Sequence, residues 1–293
     1  MKINLYLMSE KGYEVLRNLI DAHYTPLIGQ VIQAQDKNVQ NDYYTEIHDL
    51  CIQQGITVSN RRDLTEPVAA EYSIAISWRW LIPVEGASNL IVLHDSLLPR
   101  YRGFAPLVNM TINREPRIGV TALYANAEFD RGDIIMQKSV PVDYPIKIQD
   151  AIELIAPLYA GIVVDIFRHI ATGQELPAAR QNEDEASYSL WRDEEDYQID
   201  WSQSAQDIQQ FCYSVGYPYR GASTQVEGMT LRVMDCEVMP DVSIENRTAG
   251  KLLFVNEGCP VVVCGQGLLK LTRVIDEEGQ NALPLKKFRI RFK

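Results

Sequence analysis

The chain has 293 residues, 46% hydrophobic and 23% charged, a globular composition that excludes a disordered or fibrous protein. Lys and Arg number 28 against 39 Asp and Glu, and the net charge of −11 gives no general attraction for a nucleic-acid backbone. The sequence holds no apolar run long enough to cross a membrane and no secretion signal at its start, and its five cysteines form no CxxC pair; a reduced, cytoplasmic protein without a zinc knuckle or disulfide framework is expected.

The first half alternates strands and helices. Ile3 to Met8 reads as a strand, and Glu10 to His23 as a helix with Val15, Leu16, Leu19 and Ile20 on one stripe. A second strand falls within Pro26 to Gln33. A second helix, Asn41 to Gln53, stops at Gly55. Ile56 to Val58, Ser73 to Ser77 and Leu90 to Leu93 are further strands, the last fully apolar as buried parallel strands are. This rhythm predicts an α/β fold with an open, mostly parallel, Rossmann-like sheet. Ile148 to Thr172 reads as a long amphipathic helix with a kink expected at Pro157. Gly173 to Glu185 is polar and reads as a linker. Beyond it, a helix at about Ser204 to Tyr213 precedes short runs at 224–240, 249–255, 261–263 and 268–274, which predict a small β-barrel-like unit. The expected division is residues 1–180 and residues 186–293.

Of four histidines, His23, His48 and His169 fall in predicted helices with no companion residues. His94 follows the apolar strand directly, at the carboxyl end where open α/β sheets bind ligands. A histidine there can exchange protons with a substrate. The loop after it, Ser96-Leu97-Leu98-Pro99-Arg100-Tyr101-Arg102-Gly103, is stiffened by proline and turned by glycine. A second loop, Asp130-Arg131-Gly132-Asp133, follows the strand Gly119 to Leu123. Read alone it is a solvated turn; read with His94, Asp130 meets the imidazole and tunes its protonation.

The Ser96–Gly103 loop resembles the SLLPxxRG loop of the folate-dependent formyltransferases. Gly119-Val120-Thr121 and Asp130-x-Gly132-Asp133-Ile134 resemble two further blocks of that family, in its order. Ser189 to Arg192 and Glu195 to Trp201 resemble the opening of the C-terminal unit shared by methionyl-tRNA formyltransferases and many sugar N-formyltransferases. The resemblance implies formyl transfer from N10-formyltetrahydrofolate, a co-substrate, to an amine. It gives His94 and Asp130 the catalytic roles, and it gives Leu81, Ser96, Leu97, Leu98, Pro99, Arg102, Gly103 and Asn126 to the folate.

Two positions depart from the family. Val92 stands where an asparagine usually donates to the oxyanion, and Asp95 replaces the usual proline. Valine has no donor, and one such donor is typically worth about 10²–10³ in rate. Three readings follow. Another amide takes over, with Asn109 as the possible replacement donor and Asn126 as a second. Asp95 reorganises the site around a different acceptor or acyl donor. Or the protein binds folate or a sugar nucleotide without transferring anything.

The acidic balance speaks against methionyl-tRNA as acceptor, and the basic tail Lys286 to Lys293 reads as a strand edge. The preferred acceptor is a small molecule, a nucleotide-linked amino sugar. Arg79 would meet its phosphate beside Trp78, although Trp78 and Trp80 read equally as wall of the folate pocket. No membrane or metal partner is expected, and no pattern decides between a monomer and a homodimer.

Overall fold

The computed structural model describes residues 1–64, 69–82 and 89–293. The elements of the first half are β1 (Ile3–Leu7), α1 (Ser9–Asp21), β2 (Ile28–Gln33), α2 (Tyr44–Gln53), β3 (Val58–Asn60), β4 (Tyr72–Ile76), β5 (Leu90–His94), β6 (Arg102–Gly103), α3 (Pro106–Ile112), β7 (Arg117–Tyr124), β8 (Ile134–Pro141) and α4 (Ile148–Thr172). They build a seven-stranded sheet of order β3-β2-β1-β4-β5-β7-β8. The first five strands of that order run parallel, and β7 and β8 are antiparallel additions beside β5. The predicted mostly parallel sheet is therefore present. The chain leaves β1 towards β2 and β3, then returns to the other side of β1 at β4. This reversal puts a crevice at the carboxyl ends of β1 and β4, the usual ligand position of open α/β sheets.

Every residue of β1 is buried, as a central parallel strand requires. Helix α4 buries Ile148, Ile152, Ile155, Tyr159, Ile162, Val163, Ile166 and Ile170, a stripe of helical period. It runs as one helix through Pro157 and ends at Gly173, whose φ of +69° allows the terminal amides to turn back onto His169 and Ile170. Among the described residues no helix is long and apolar enough to cross a membrane.

The second half holds β9 (Tyr188–Ser189), α5 (Ala205–Ser214), β10 (Ala222–Val226), β11 (Met229–Met239), β12 (Leu252–Asn256), β13 (Cys259–Val263) and β14 (Leu268–Ile275). Ser204 caps α5 by accepting from the Asp207 amide at 3.1 Å. The five-stranded sheet, order β10-β11-β14-β13-β12, is antiparallel throughout. Its two edge strands are joined by the basic tail. Val226 bridges to Phe292, and Lys251 bridges to Arg291. The Gln225 amide donates to Lys293 O at 2.7 Å, and the Phe292 amide to Gly250 O at 2.7 Å. The tail thus satisfies both open edges, which is how a small barrel removes exposed strand polarity.

Phe292 seats that closure: it is 2% exposed, and its ring lies 5.5 Å from that of Trp201. Phe292→Ala should cost about 3–5 kcal/mol, read as a lower urea midpoint at unchanged slope. A loss under about 1 kcal/mol would mean that backbone pairing alone closes the sheet.

Candidate active site

His94 is the last residue of β5 and is 7% exposed. Its Nε2 lies 2.8 Å from the carbonyl oxygen of Tyr101, and its Nδ1 lies 3.4 Å from Asp130 Oδ1. A carbonyl only accepts, so Nε2 carries a hydrogen and donates to it. Nδ1 then faces a carboxylate oxygen. In the neutral ring both atoms are acceptors, and one proton between them turns a repulsion into a bond. His94 and Asp130 therefore form a site for a single mobile proton.

Two loops hold this pair. In the Ser96–Gly103 loop, the Ser96 hydroxyl donates to Arg100 O at 2.7 Å. Thr121 Oγ1 donates to Ser96 O at 2.6 Å and accepts from the Leu98 amide at 3.1 Å. Gln137 reaches Leu98 O at 2.8 Å from β8. Tyr101 is fixed through its hydroxyl, which donates to Glu115 at 2.6 Å and accepts from Asn113 at 3.0 Å. Gly103 is required here. Its φ is +98°, and a β-carbon would stand 2.5 Å from Ser189 O, where β6 pairs with β9. The Gly103 amide donates to Asp130 Oδ2 at 2.8 Å, which aims Oδ1 at the imidazole. Asp130 itself has φ +58°. Gly132 lets the second loop pass under Tyr124, whose carbonyl oxygen would lie 1.6 Å from any β-carbon.

Arg102 is not available to a ligand, contrary to its expected folate role. It is fully buried, donates to Gln181 Oε1 at 3.1 and 2.7 Å, and pairs with Glu183 at 2.9 and 2.8 Å. Gln181 in turn donates to Asp130 O at 2.7 Å and Gly132 O at 2.8 Å. Arg102 therefore fixes the turn that carries Asp130. The segment read as a linker supplies both of its partners. Gln181 is 6% exposed, and nothing in its polar surroundings marked it beforehand.

Asn109, the expected replacement donor, is held within α3 and by the C-terminal segment. Its amide donates to Ala105 O at 2.9 Å at the start of α3, and its oxygen accepts from Arg192 at 2.7 Å. Asn126 is exposed and accepts from the Glu128 amide at 2.9 Å. Arg79, the expected phosphate ligand, is tied to Asp36 through two contacts of 3.1 and 2.7 Å. Ser96 and Leu98 are buried with their side chains turned inward, Leu97 abuts Gly119 on β7, Pro99 is half-buried, and Leu81 is 82% exposed. Val92 shares an apolar cluster with Tyr6, Ile32, Ala75 and Trp78. Among the described residues, Trp78 Nε1 is buried there with no hydrogen-bond partner, a donor that a bound heterocycle can satisfy.

Asp95 has brought its own partners. Lys11, in the first turn of α1, lies 2.6 Å from Oδ2, and the Tyr159 hydroxyl donates to Oδ1 at 2.5 Å. Burial alone would raise the Asp95 carboxyl, but the Lys11 ion pair and hydrogen bond and the Tyr159 donor hold it below the usual carboxylate range. Burial and the adjacent Asp95 charge push the Tyr159 hydroxyl well up. Because the folded-state value of Asp95 is depressed, its stabilisation is present above an unfolded value of about 3.9 and is lost as pH falls through the folded one. Asp95→Asn leaves Lys11 buried without a countercharge and should cost about 3–5 kcal/mol at pH 7. The gap to the unsubstituted protein should narrow below about pH 4. Urea unfolding at pH 7 and pH 3 reads both; a gap independent of pH would reject the ion pair's role.

Residues 53–153 match the profile of the family described as "Formyl transferase", and residues 192–292 match "Formyl transferase, C-terminal domain". The methionyl-tRNA formyltransferase of Chlorobium phaeovibrioides is 29% identical over 275 residues, covering 88% of this chain and 85% of that protein. Among solved structures, WlaRD, described as a sugar 3N-formyl transferase in the presence of dTDP and 5-N-formyl-THF, aligns with a TM-score of 0.64 at 17% identity over 98% of both chains. HypX from Aquifex aeolicus in complex with tetrahydrofolic acid gives 0.66 at 17% identity over 96% of this chain. This chain spans 45% of the length of HypX. At these identities the two structures speak to the fold.

Proposed function

Because the chain belongs to the formyl transferase family, we propose that the His94–Asp130 pair drives transfer of the formyl group of N10-formyltetrahydrofolate to the amine of a nucleotide-linked amino sugar. The folate co-substrate supplies an activated one-carbon acyl group. The acceptor nitrogen must lose a proton as it attacks, and the departing folate nitrogen must gain one. The observation that carries the reading is the single-proton site between Nδ1 and Oδ1, 3.4 Å apart. The pair takes the proton from the attacking amine as the new C–N bond forms. It returns that proton to the departing nitrogen as the old C–N bond breaks, and the site ends as it began. The Tyr101 carbonyl and the Gly103 amide hold the two side chains in register throughout.

A small anionic acceptor suits a protein of net charge −11, which would repel the extended phosphate backbone of a tRNA. The neighbour described as a sugar N-formyl transferase supports that choice. The relatives named methionyl-tRNA formyltransferases favour the second reading, a tRNA-linked amine. Val92 leaves the oxyanion without the usual amide, and Asn109 is committed elsewhere, so a slow enzyme is expected.

His94→Ala and Asp130→Asn should each lower turnover by about 10²–10⁴ while retaining affinity for 5-formyltetrahydrofolate. Undiminished turnover in either variant rejects the shared-proton role. Release of tetrahydrofolate should appear with one member of a panel of nucleotide-linked amino sugars and not with methionyl-tRNA. Efficient tRNA formylation would overturn the choice of acceptor while leaving the chemistry in place.

A further inference from the structure

A cavity of about 130 Å³ opens at the carboxyl ends of β2 and β3, lined chiefly by Lys37, Asn60, Arg61, Arg62 and Trp80. It lies outside the reacting pair, and of its residues only Trp80 had an expected role, as wall of the folate pocket. Its construction is specific. Asn60 Oδ1 accepts from the Arg62 amide at 2.8 Å, its Nδ2 donates to Tyr44 Oη at 2.9 Å, and the Arg61 amide donates to Gln33 O at 2.8 Å. These bonds fix the turn that carries Arg61 and Arg62. The Arg61 guanidinium stands 4.3 Å from the centroid of the Trp80 ring.

Charge distinguishes this place from the rest of the surface. In a chain of net charge −11, three cations meet at one cavity, and among the described residues none of the three has an ion-pair partner. Of the two carboxylates next to them in sequence, Asp36 is already bound by Arg79, and Asp63 is exposed and forms no ion pair among the described residues. Three such cations, one of them stacked over the indole of Trp80, match phosphate oxygens joined to a planar base that can add to that stack. The volume is below the roughly 300–1,000 Å³ that holds a whole drug-sized ligand, so it takes one end of a longer molecule.

The cavity is linked to the chemistry through touching rings. Trp80 lies edge-on to Trp78 at 5.3 Å, and Trp78 lies edge-on to Tyr6 at 5.1 Å, in the apolar cluster that includes Val92, two residues before His94. A ligand anchored at Trp80 can therefore extend along the carboxyl edge of the sheet towards the reacting pair.

We propose that this cavity binds the nucleoside diphosphate end of the acceptor, with the phosphates on Lys37 and Arg62 and the base on the stacked pair of Arg61 and Trp80. The inference rests on the nucleotide-linked acceptor of the preceding subsection. The carboxylates of the folate glutamate tail share part of this chemistry, and the test separates the two sources. The intact protein is titrated calorimetrically with UDP, dTDP, inorganic pyrophosphate and 5-formyltetrahydrofolate, with unchanged melting temperature as the check on each variant's fold. One nucleoside diphosphate should bind, and the Arg61→Ala/Arg62→Ala variant should weaken it at least about tenfold. Trp80→Ala should weaken the nucleoside diphosphate and leave pyrophosphate unchanged. Folate affinity should hold in all variants. Nucleoside diphosphate binding that survives both variants places the nucleotide elsewhere and overturns this inference while leaving the acceptor reading intact. Loss of folate affinity instead gives the cavity to the folate tail and overturns it. No nucleoside diphosphate binding to the unsubstituted protein overturns the inference and the acceptor reading together.

Discussion

The guanidinium of Arg102 is the contact on which the site depends. A fully buried cation is tolerated only when its donors are matched, and here four contacts to Gln181 and Glu183 match them. Through Gln181 it closes the turn of Asp130, and through its own backbone it sets Tyr101 and Gly103, which hold His94 and Asp130. Loss of this one side chain would free Gln181 and Glu183 and loosen the turn that carries Asp130, although it touches no reacting atom. The arrangement follows the general need of a catalytic pair for a rigid surround.

The departures at Val92 and Asp95 have a physical order to them. A carboxylate placed at random beside His94 would be a buried charge of high cost. Asp95 instead meets a lysine from the first helix and a tyrosine from the long fourth helix, each at hydrogen-bond distance. Val92 likewise completes an apolar wall with Trp78 and Tyr6 rather than leaving a hole. Both positions are integrated into their surroundings.

Much of the fold was legible because it is carried by periodicity. The apolar runs of β1 and β5, the stripe of α4 and the short β runs after residue 220 each announce an element from neighbouring residues alone. The direction of β7 and β8 was not legible, since an apolar run carries no polarity. Two-residue strands such as β6 and β9 were not legible either, because they exist only through pairing. In the site, His94 and the two glycine-bearing loops stood out by position after strands. Arg102 misled because an arginine beside a loop glycine reads as a ligand contact, and only the fold reveals Gln181 beneath it. The Lys11–Asp95 pair spans 84 residues of sequence, a distance no local pattern can bridge. Arg79 and Trp78 drew attention through composition, whereas the turn after β3, with Arg61 and Arg62, carried no motif.

One apolar core runs without interruption from Ile3 in the first sheet through Ile208 in α5 to Phe292 in the closing tail. Gln210, 1% exposed, locks onto both backbone atoms of Ile146 across the seam, at 3.0 Å each. Many two-part enzymes open by rotating one half against the other about a thin, polar hinge. A continuous core cannot shear in that way without exposing its own interior to water. Exchange of substrates and products is therefore left to local displacements at the rim of the site rather than to a parting of the two halves.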